Sequence, residues 1–162
     1  MVAGTIHEPS RIIAEESLSV DETSRIDSFC LVNARGGVDL RRQSVIHAGS
    51  HVVGDGGLTM GPRAVVTYNC VLVTSTADLG YPASSVVPAA ERRSISGRIT
   101  LESETFVGSG AVLMPGVTVG EGGVVAATAY VDRDVPPWTI RYADGSEAER
   151  DRRSERFETP DG

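Results

Sequence analysis

Rings are scarce in this chain: aromatic residues make up 5 % of its 162 positions, and there is one tryptophan. That excludes a core wedged apart by Phe and Trp, and leaves stacked aliphatic side chains to fill the interior. No apolar run comes near the roughly 20 residues a membrane-spanning helix needs. The opening MVAGTIHEPS has neither a basic start nor an apolar core, so it does not read as a secretory signal, and cytoplasmic residence is the expectation. Cations are outnumbered, 15 Lys and Arg against 22 Asp and Glu. The resulting net charge of −7 argues against nonspecific binding to nucleic acid, whose phosphates need a basic surface. A small anionic ligand in a locally basic pocket stays compatible with it. Cysteine is limited to Cys30 and Cys70, and histidine to His7, His47 and His51. Glycine, at 18, and proline, at 8, are by contrast generous. The length fits one domain with a sizeable core.

What is present in strength is a period of six. Aliphatic residues fall at Ile95, Leu101, Val107, Leu113, Val119, Val125 and Val131. Four places after each comes a small or β-branched residue in most cases, as in Thr105, Ala111, Val117 and Ala129. Neither the 3.6-residue period of an amphipathic helix nor a plain two-residue alternation gives this beat. Hexads with one large and one small inward position belong to a parallel β-helix, each hexad forming one flat side of a coil. The large residue fills the prism, and the small one fits the corner where the chain turns.

Taken in order, residues 1–19 read as an N-terminal lead-in ending in a partial cap coil, with no period over Met1 to Arg11. Regular hexads begin at Val20, Ile26 and Val32, slip by two residues at Gly36-Gly37, and resume at Leu40, Ile46 and Val52. A second slip at Asp55-Gly56-Gly57 leads to Met60, Val66 and Leu72. The period vanishes over residues 77–94, an excursion with two prolines, and long loops of that kind are commonly functional. Counting sides from Ile26, with Ile95 among them, gives fifteen up to Pro136, or five triangular coils. The solenoid therefore spans residues 20–137 and stops at Pro136-Pro137, since proline cannot donate to a further ladder. Residues 138–162 read as a C-terminal helical tail in which Ser146 caps a mixed-charge helix running to about Phe157. Cys30 and Cys70 take small inward positions two coils apart, roughly 9–10 Å at the ~4.8 Å strand spacing. That separation exceeds disulfide reach, so reduced, buried thiols are expected.

The stretch VGSGAVLMPGVTVGEGGVVAATAYVDRDVPPWTI resembles the last coils of the left-handed β-helix hexapeptide-repeat acyltransferases, in particular the sugar O- and N-acetyltransferase branch. The resemblance covers about Val20 to Ile140 and implies a left-handed triangular prism, a homotrimer with sites between neighbours, and acetyl-CoA as co-substrate. The implied acceptor is a hydroxyl or amine of a sugar or nucleotide-sugar. Two features depart from the family pattern. Thr74-Ser75-Thr76-Ala77-Asp78, at the start of the loop, lacks the histidine many members carry there, and Ile140-Arg141-Tyr142-Ala143-Asp144-Gly145 replaces a Gly-Asn-Pro-Ala-like turn.

Acyl transfer needs a base to take the acceptor proton and a donor for the developing oxyanion. Histidine is the side chain best tuned for the first task near neutral pH. His47 directly follows the inward Ile46, so strand alternation turns it outward, and Asp27 and Thr67 occupy the same position one coil below and one above. Asp27, about 5 Å along the stack, is placed to orient and charge-stabilise His47. His47 has an alternative as an outward polar residue at a subunit contact. Asp78 stands where the family often carries an acidic residue and either holds the acceptor or serves the turn. Arg92 and Arg93 close the loop and either meet phosphates of the substrates or remain a solvated pair. Carried over from the resemblance, Gly108, Gly110, Ala126 and Ala127 are the cofactor-binding positions, with Ser109 and Thr128 as further oxyanion or pantetheine contacts. No metal is expected: a hydratase of the carbonic-anhydrase type needs three converging histidines, and His47 and His51 have no third in the repeats. The remaining alternative is a solenoid without catalysis, acting as a scaffold or binding protein.

Overall fold

In a β-strand successive side chains point to opposite faces, so an inward residue at each hexad leaves its neighbours outside. The computed structural model, which describes residues 1–151, arranges the hexads in this way as three flat parallel faces around one core. The first face stacks Thr5–Ile6, Arg25–Ile26, Val45–Ile46, Val65–Val66, Phe106–Val107, Val124–Val125 and Thr139–Arg141. The second stacks Arg11–Ile13, Leu31–Asn33, His51–Val53, Val71–Val73, Val112–Leu113 and Tyr130–Val131. The third stacks Leu18–Val20, Val38–Leu40, Leu58–Met60, Ile99–Leu101 and Thr118–Val119. The chain is thus an all-β parallel solenoid. Among the described residues no helix is long and apolar enough to cross a membrane.

Register is strict because a slip of one residue would turn every inward side chain out. On the first face Ile6 lies beneath Ile26, followed upward by Ile46, Val66, Val107, Val125 and finally Arg141. The aliphatic members from Ile26 to Val125 are fully buried, each contributing about 1.5–3 kcal/mol relative to exposure. The small positions are buried as well, at Ser24, Cys30, Ser44, Ser50, Ala64, Cys70, Thr105, Ala111 and Ala129. Buried hydroxyls there take over hydrogen bonds at the corners: Ser50 Oγ donates to the Thr67 carbonyl at 2.6 Å and accepts the Cys70 N–H at 3.1 Å. Cys30 and Cys70 are both free thiols, and burial raises their pKa and keeps them protonated.

Three expectations from the hexad pattern change. The coil begins earlier than Val20: Ile6, Ile12 and Val20 form a full rung beneath Ile26, Val32 and Leu40, in place of a lead-in with only a partial cap coil over residues 1–19. Ile95 is not a side of the prism. It pairs with Thr76 in an antiparallel hairpin, Ser75–Ala77 against Ser94–Ser96, and is half exposed, while Leu101 continues directly from the rung of Met60. The fifteenth side is supplied instead by Val135, which bridges Val119.

The third change is at the C-terminal end. Glu147–Glu149 is a strand, not helix, and folds back antiparallel on Thr139–Arg141. Asp144-Gly145 makes the turn, with Asp144 Oδ1 accepting the N–H and hydroxyl of Ser146. Asp-Gly is a hairpin signal, and it outweighs the capping potential of the serine beside it. The rest of the expected helical tail, 152–162, lies outside the described residues. Arg141 ends the inward column: it is 3 % exposed, pairs through its guanidinium with Glu147, and donates to the Asp134 carbonyl at 3.0 Å. A paired cation in this position closes the apolar column where, among the described residues, no further coil covers it.

Candidate active site

One corner follows the first face at every level, and backbone hydrogen bonds fix its column. Asp27 N–H donates to the Ile46 carbonyl at 2.8 Å, His47 N–H to Val66 at 2.8 Å, and Thr67 N–H to Val107 at 2.9 Å. Above them Gly108 N–H donates to Val125 at 2.7 Å and Ala126 N–H to Arg141 at 2.8 Å. Asp27, His47, Thr67, Gly108 and Ala126 therefore hold equivalent positions on successive rungs.

His47 and Asp27 are brought into direct contact, Nδ1 to Oδ2 at 2.8 Å. Arg25 Nε donates to the other carboxylate oxygen, Oδ1, at 3.0 Å. Burial raises the Asp27 pKa, but the hydrogen bonds from His47 and Arg25 and their charges outweigh it, and the carboxyl lies below its usual value. An ionised Asp27 accepts only, so Nδ1 carries the proton in this pair and Nε2 of a neutral ring keeps its lone pair. The Tyr68 ring stacks on His47, with centroids 4.9 Å apart and planes 26° from parallel. Both side chains of the His–Asp pair are about one-fifth exposed, at 20 % and 22 %.

Thr67 Oγ1 donates to the Val107 carbonyl at 2.6 Å and accepts from Ser109 Oγ at 3.1 Å, so both hydroxyls are engaged within the corner. The glycines higher up have structural reasons of their own. A Cβ on Gly108 would lie 2.5 Å from the backbone nitrogen of Ala127, and Gly110 adopts a φ of +73°. Coil stacking alone thus demands Gly108. The corner surface left exposed above His47 consists of Ser109, Gly110, Ala127 and Thr128, with Ala126 half-buried among them. Thr128 Oγ1 donates to the Ala127 carbonyl at 2.6 Å.

The remaining expected site residues lie elsewhere. Asp78, Arg92 and Arg93 belong to the hairpin that leaves the next corner, between the second and third faces. Asp78 Oδ1 accepts the Gly80 N–H at 3.0 Å, its N–H donates to the Arg93 carbonyl, and no contact with His47 forms. Arg93 lies over the Tyr81 ring at 4.5 Å, and Arg92 ends the short turn Ala89–Glu91 with an exposed side chain. His51 opens a second-face strand, with Nδ1 buried and without a hydrogen-bond partner. Among the described residues no three His, Cys, Asp or Glu side chains gather into a metal site. Reading the sequence by register missed Arg25 and Tyr68. Arg25 was recoverable by alternation, two residues before Asp27 on the outer side, whereas Tyr68 lies in the corner turn, where alternation stops.

The fold and this corner define a hexapeptide-repeat β-solenoid. No family model matches the chain. In sequence it is 26 % identical over 128 residues to dTDP-4-amino-4,6-dideoxy-D-glucose acyltransferase of Escherichia coli, covering 77 % of this chain and 67 % of that enzyme. Other acetyltransferases match over shorter stretches, and the chain spans less than two-fifths of their length. In structure it is similar to a variant of AntD, an N-acyltransferase from Bacillus cereus solved with dTDP-4-amino-4,6-dideoxyglucose and coenzyme A. The TM-score is 0.86 at 22 % identity over 94 % of this chain and 83 % of that one. A hexapeptide-repeat acetyltransferase from Vibrio cholerae, solved with acetyl-coenzyme A, gives 0.57 at 20 % identity over 89 % and 67 %. In sequence the chain is similar to the Escherichia coli acyltransferase, and in fold it is similar to the hexapeptide-repeat acyltransferases.

Proposed function

We propose that the chain transfers an acyl group, acetyl in the simplest case, from acetyl-CoA to an amino or hydroxyl group of a nucleotide-linked sugar, with His47 as general base. The observation that carries this reading is the 2.8 Å bond between His47 Nδ1 and an Asp27 whose carboxyl stays ionised. The Escherichia coli relative is named for a dTDP-aminosugar, and AntD was solved with such a sugar and coenzyme A. Both lend the substrate class.

In this mechanism the acceptor nitrogen or oxygen attacks the thioester carbonyl carbon while His47 Nε2 takes its proton. Asp27 stabilises the imidazolium that forms, as a carboxylate does in acyl-transfer sites. Collapse of the tetrahedral intermediate breaks the carbon–sulfur bond, and the imidazolium returns its proton to the departing thiolate. Base catalysis of this kind contributes about 10²–10⁴-fold. The small surface of exposed Gly110 and Ala127 and half-buried Ala126, beside Gly108, leaves backbone open to the pantetheine arm, with Ser109 and Thr128 alongside. Asp78 holds the acceptor and Arg92 and Arg93 its phosphates, the hairpin reaching the His47 corner of a neighbouring subunit. A left-handed homotrimer supplies that neighbour. Outward Val65, Phe106 and Val124 on the first face and Leu31, Val71 and Val112 on the second flank the corner with apolar surface, whereas the third face turns out Ser19, Asp39, Thr59 and Thr100.

The test is release of coenzyme A thiol from acetyl-CoA with dTDP-aminosugars as acceptors, after a thermal shift has established binding. A ligand held only by the folded chain raises the midpoint by mass action. One observation favours the second reading, a non-catalytic scaffold: the loop start Thr74 to Asp78 carries no histidine. A scaffold gives no shift at millimolar acetyl-CoA.

A further inference from the structure

Asp27 is divided between two donors. Its Oδ2 faces His47 at 2.8 Å and its Oδ1 faces Arg25 at 3.0 Å, and no other side chain bonds to either oxygen among the described residues. Arg25 is itself outside the corner, on the strand Arg25–Ile26, and 45 % of its side chain is exposed. The other groups around His47 are the stacked phenol of Tyr68 above and the thiol of Cys30, which points at the His47 carbonyl at 3.4 Å. On the rung below Asp27, His7 holds the equivalent position, its N–H donating to the Ile26 carbonyl at 2.8 Å, and Glu8 uses its carboxylate on the Ser10 N–H. Arg25 is thus the fixed charge that shares the carboxylate with the imidazole.

We propose that Arg25 is a positioning residue for the His47 base: by holding one oxygen of Asp27 it orients the other at Nδ1 and limits how tightly His47 keeps its proton. The inference rests on the reading of His47 as the base. An aspartate alone beside a histidine favours the imidazolium, and a base that is already protonated at neutral pH cannot accept the acceptor's proton. The Arg25 cation opposes that second positive charge, so the neutral, competent ring persists to lower pH. Orientation and charge balance then come from one side chain.

The chain contains a built-in control. Arg41 Nε meets Asp39 Oδ2 at 3.0 Å with the same two-residue spacing, on a side of the prism without a histidine. The experiment is an NMR titration of ring-labelled histidine in the full chain. Its three histidine signals are assigned by loss of one in His47→Ala, and kcat/KM against pH is measured in parallel. Arg25→Gln raises the His47 midpoint by roughly half a unit to one unit, given the attenuation of charge effects at a partly exposed site. Arg25→Lys restores most of the wild-type midpoint, and Arg41→Gln leaves it unmoved. An unchanged His47 midpoint in Arg25→Gln, or an equal rise in Arg41→Gln, overturns the proposal. If the midpoint rises and the acidic limb of kcat/KM does not follow, the coupling stands and the assignment of His47 as base fails.

Discussion

The early and late halves of one corner share a backbone and differ in what they put on it. Asp27, His47 and Thr67 follow the same inward residues, with the same ladder hydrogen bonds, as Gly108 and Ala126. In the early half the position carries a carboxylate, an imidazole and a hydroxyl, and in the late half it is stripped to glycine and alanine. The solenoid fixes where a side chain emerges, and the residue type at each rung decides between chemistry and open space. In this account proton transfer belongs to the early rungs and seating of the co-substrate to the late ones.

Breaking the early half has the largest expected effect. His47→Ala lowers kcat for acyl transfer by about 10²–10⁴-fold, read as thiol release, with little change in melting temperature because the side chain lies outside the core. Asp27→Asn keeps the shape and loses the charge, and lowers kcat/KM by roughly 10–100-fold, a transition-state loss of about 1.4–2.7 kcal/mol. It also alters acid unfolding. The Asp27 pKa is lowered in the folded chain, so its contribution to stability is present above the unfolded carboxylate value near 3.9 and lost as pH falls through the lower folded value. Asp27→Asn therefore gives a flatter loss of stability below about pH 4, measured by denaturant titration at several pH values.

Disturbing the late half affects stability or binding more than chemistry. Gly108→Ala forces a methyl toward the Ala127 nitrogen and costs about 1–3 kcal/mol by overpacking, seen as a lower melting temperature. Ala127→Glu, at an exposed position, leaves melting unchanged and weakens acetyl-CoA binding by about tenfold through a carboxylate set against an anionic ligand, a difference of about 1.4 kcal/mol.

Much of this was legible because twenty residues separate equivalent rungs in the early coils. Ile26, Ile46 and Val66 share one inward column, and that spacing alone put Asp27 beside His47. The same spacing reaches down to Ile12 and Ile6, but the two-residue strand Thr5–Ile6 carried too little pattern to turn the expected partial coil into a full one. Ile95 was misleading for the opposite reason. It falls six before Leu101, yet it belongs to an antiparallel hairpin whose local pairing owes nothing to the prism. The C-terminal strand was hidden by composition: EAER reads as helix from propensity, whereas Asp144-Gly145 and the exposed edge of Thr139–Arg141 make it pair. Tyr68 escaped because its role depends on side-chain reach around a corner, which a linear period does not encode. Alternation along the strand Arg25–Ile26, by contrast, already put Arg25 on the outer side with Asp27.

The most direct test of this division is calorimetric titration of acetyl-CoA into folded His47→Ala. The account predicts a dissociation constant within about twofold of wild type while turnover is lost, because the late rungs hold the co-substrate. A loss of tenfold or more in affinity would contradict it, and would put acetyl-CoA against the early side chains instead.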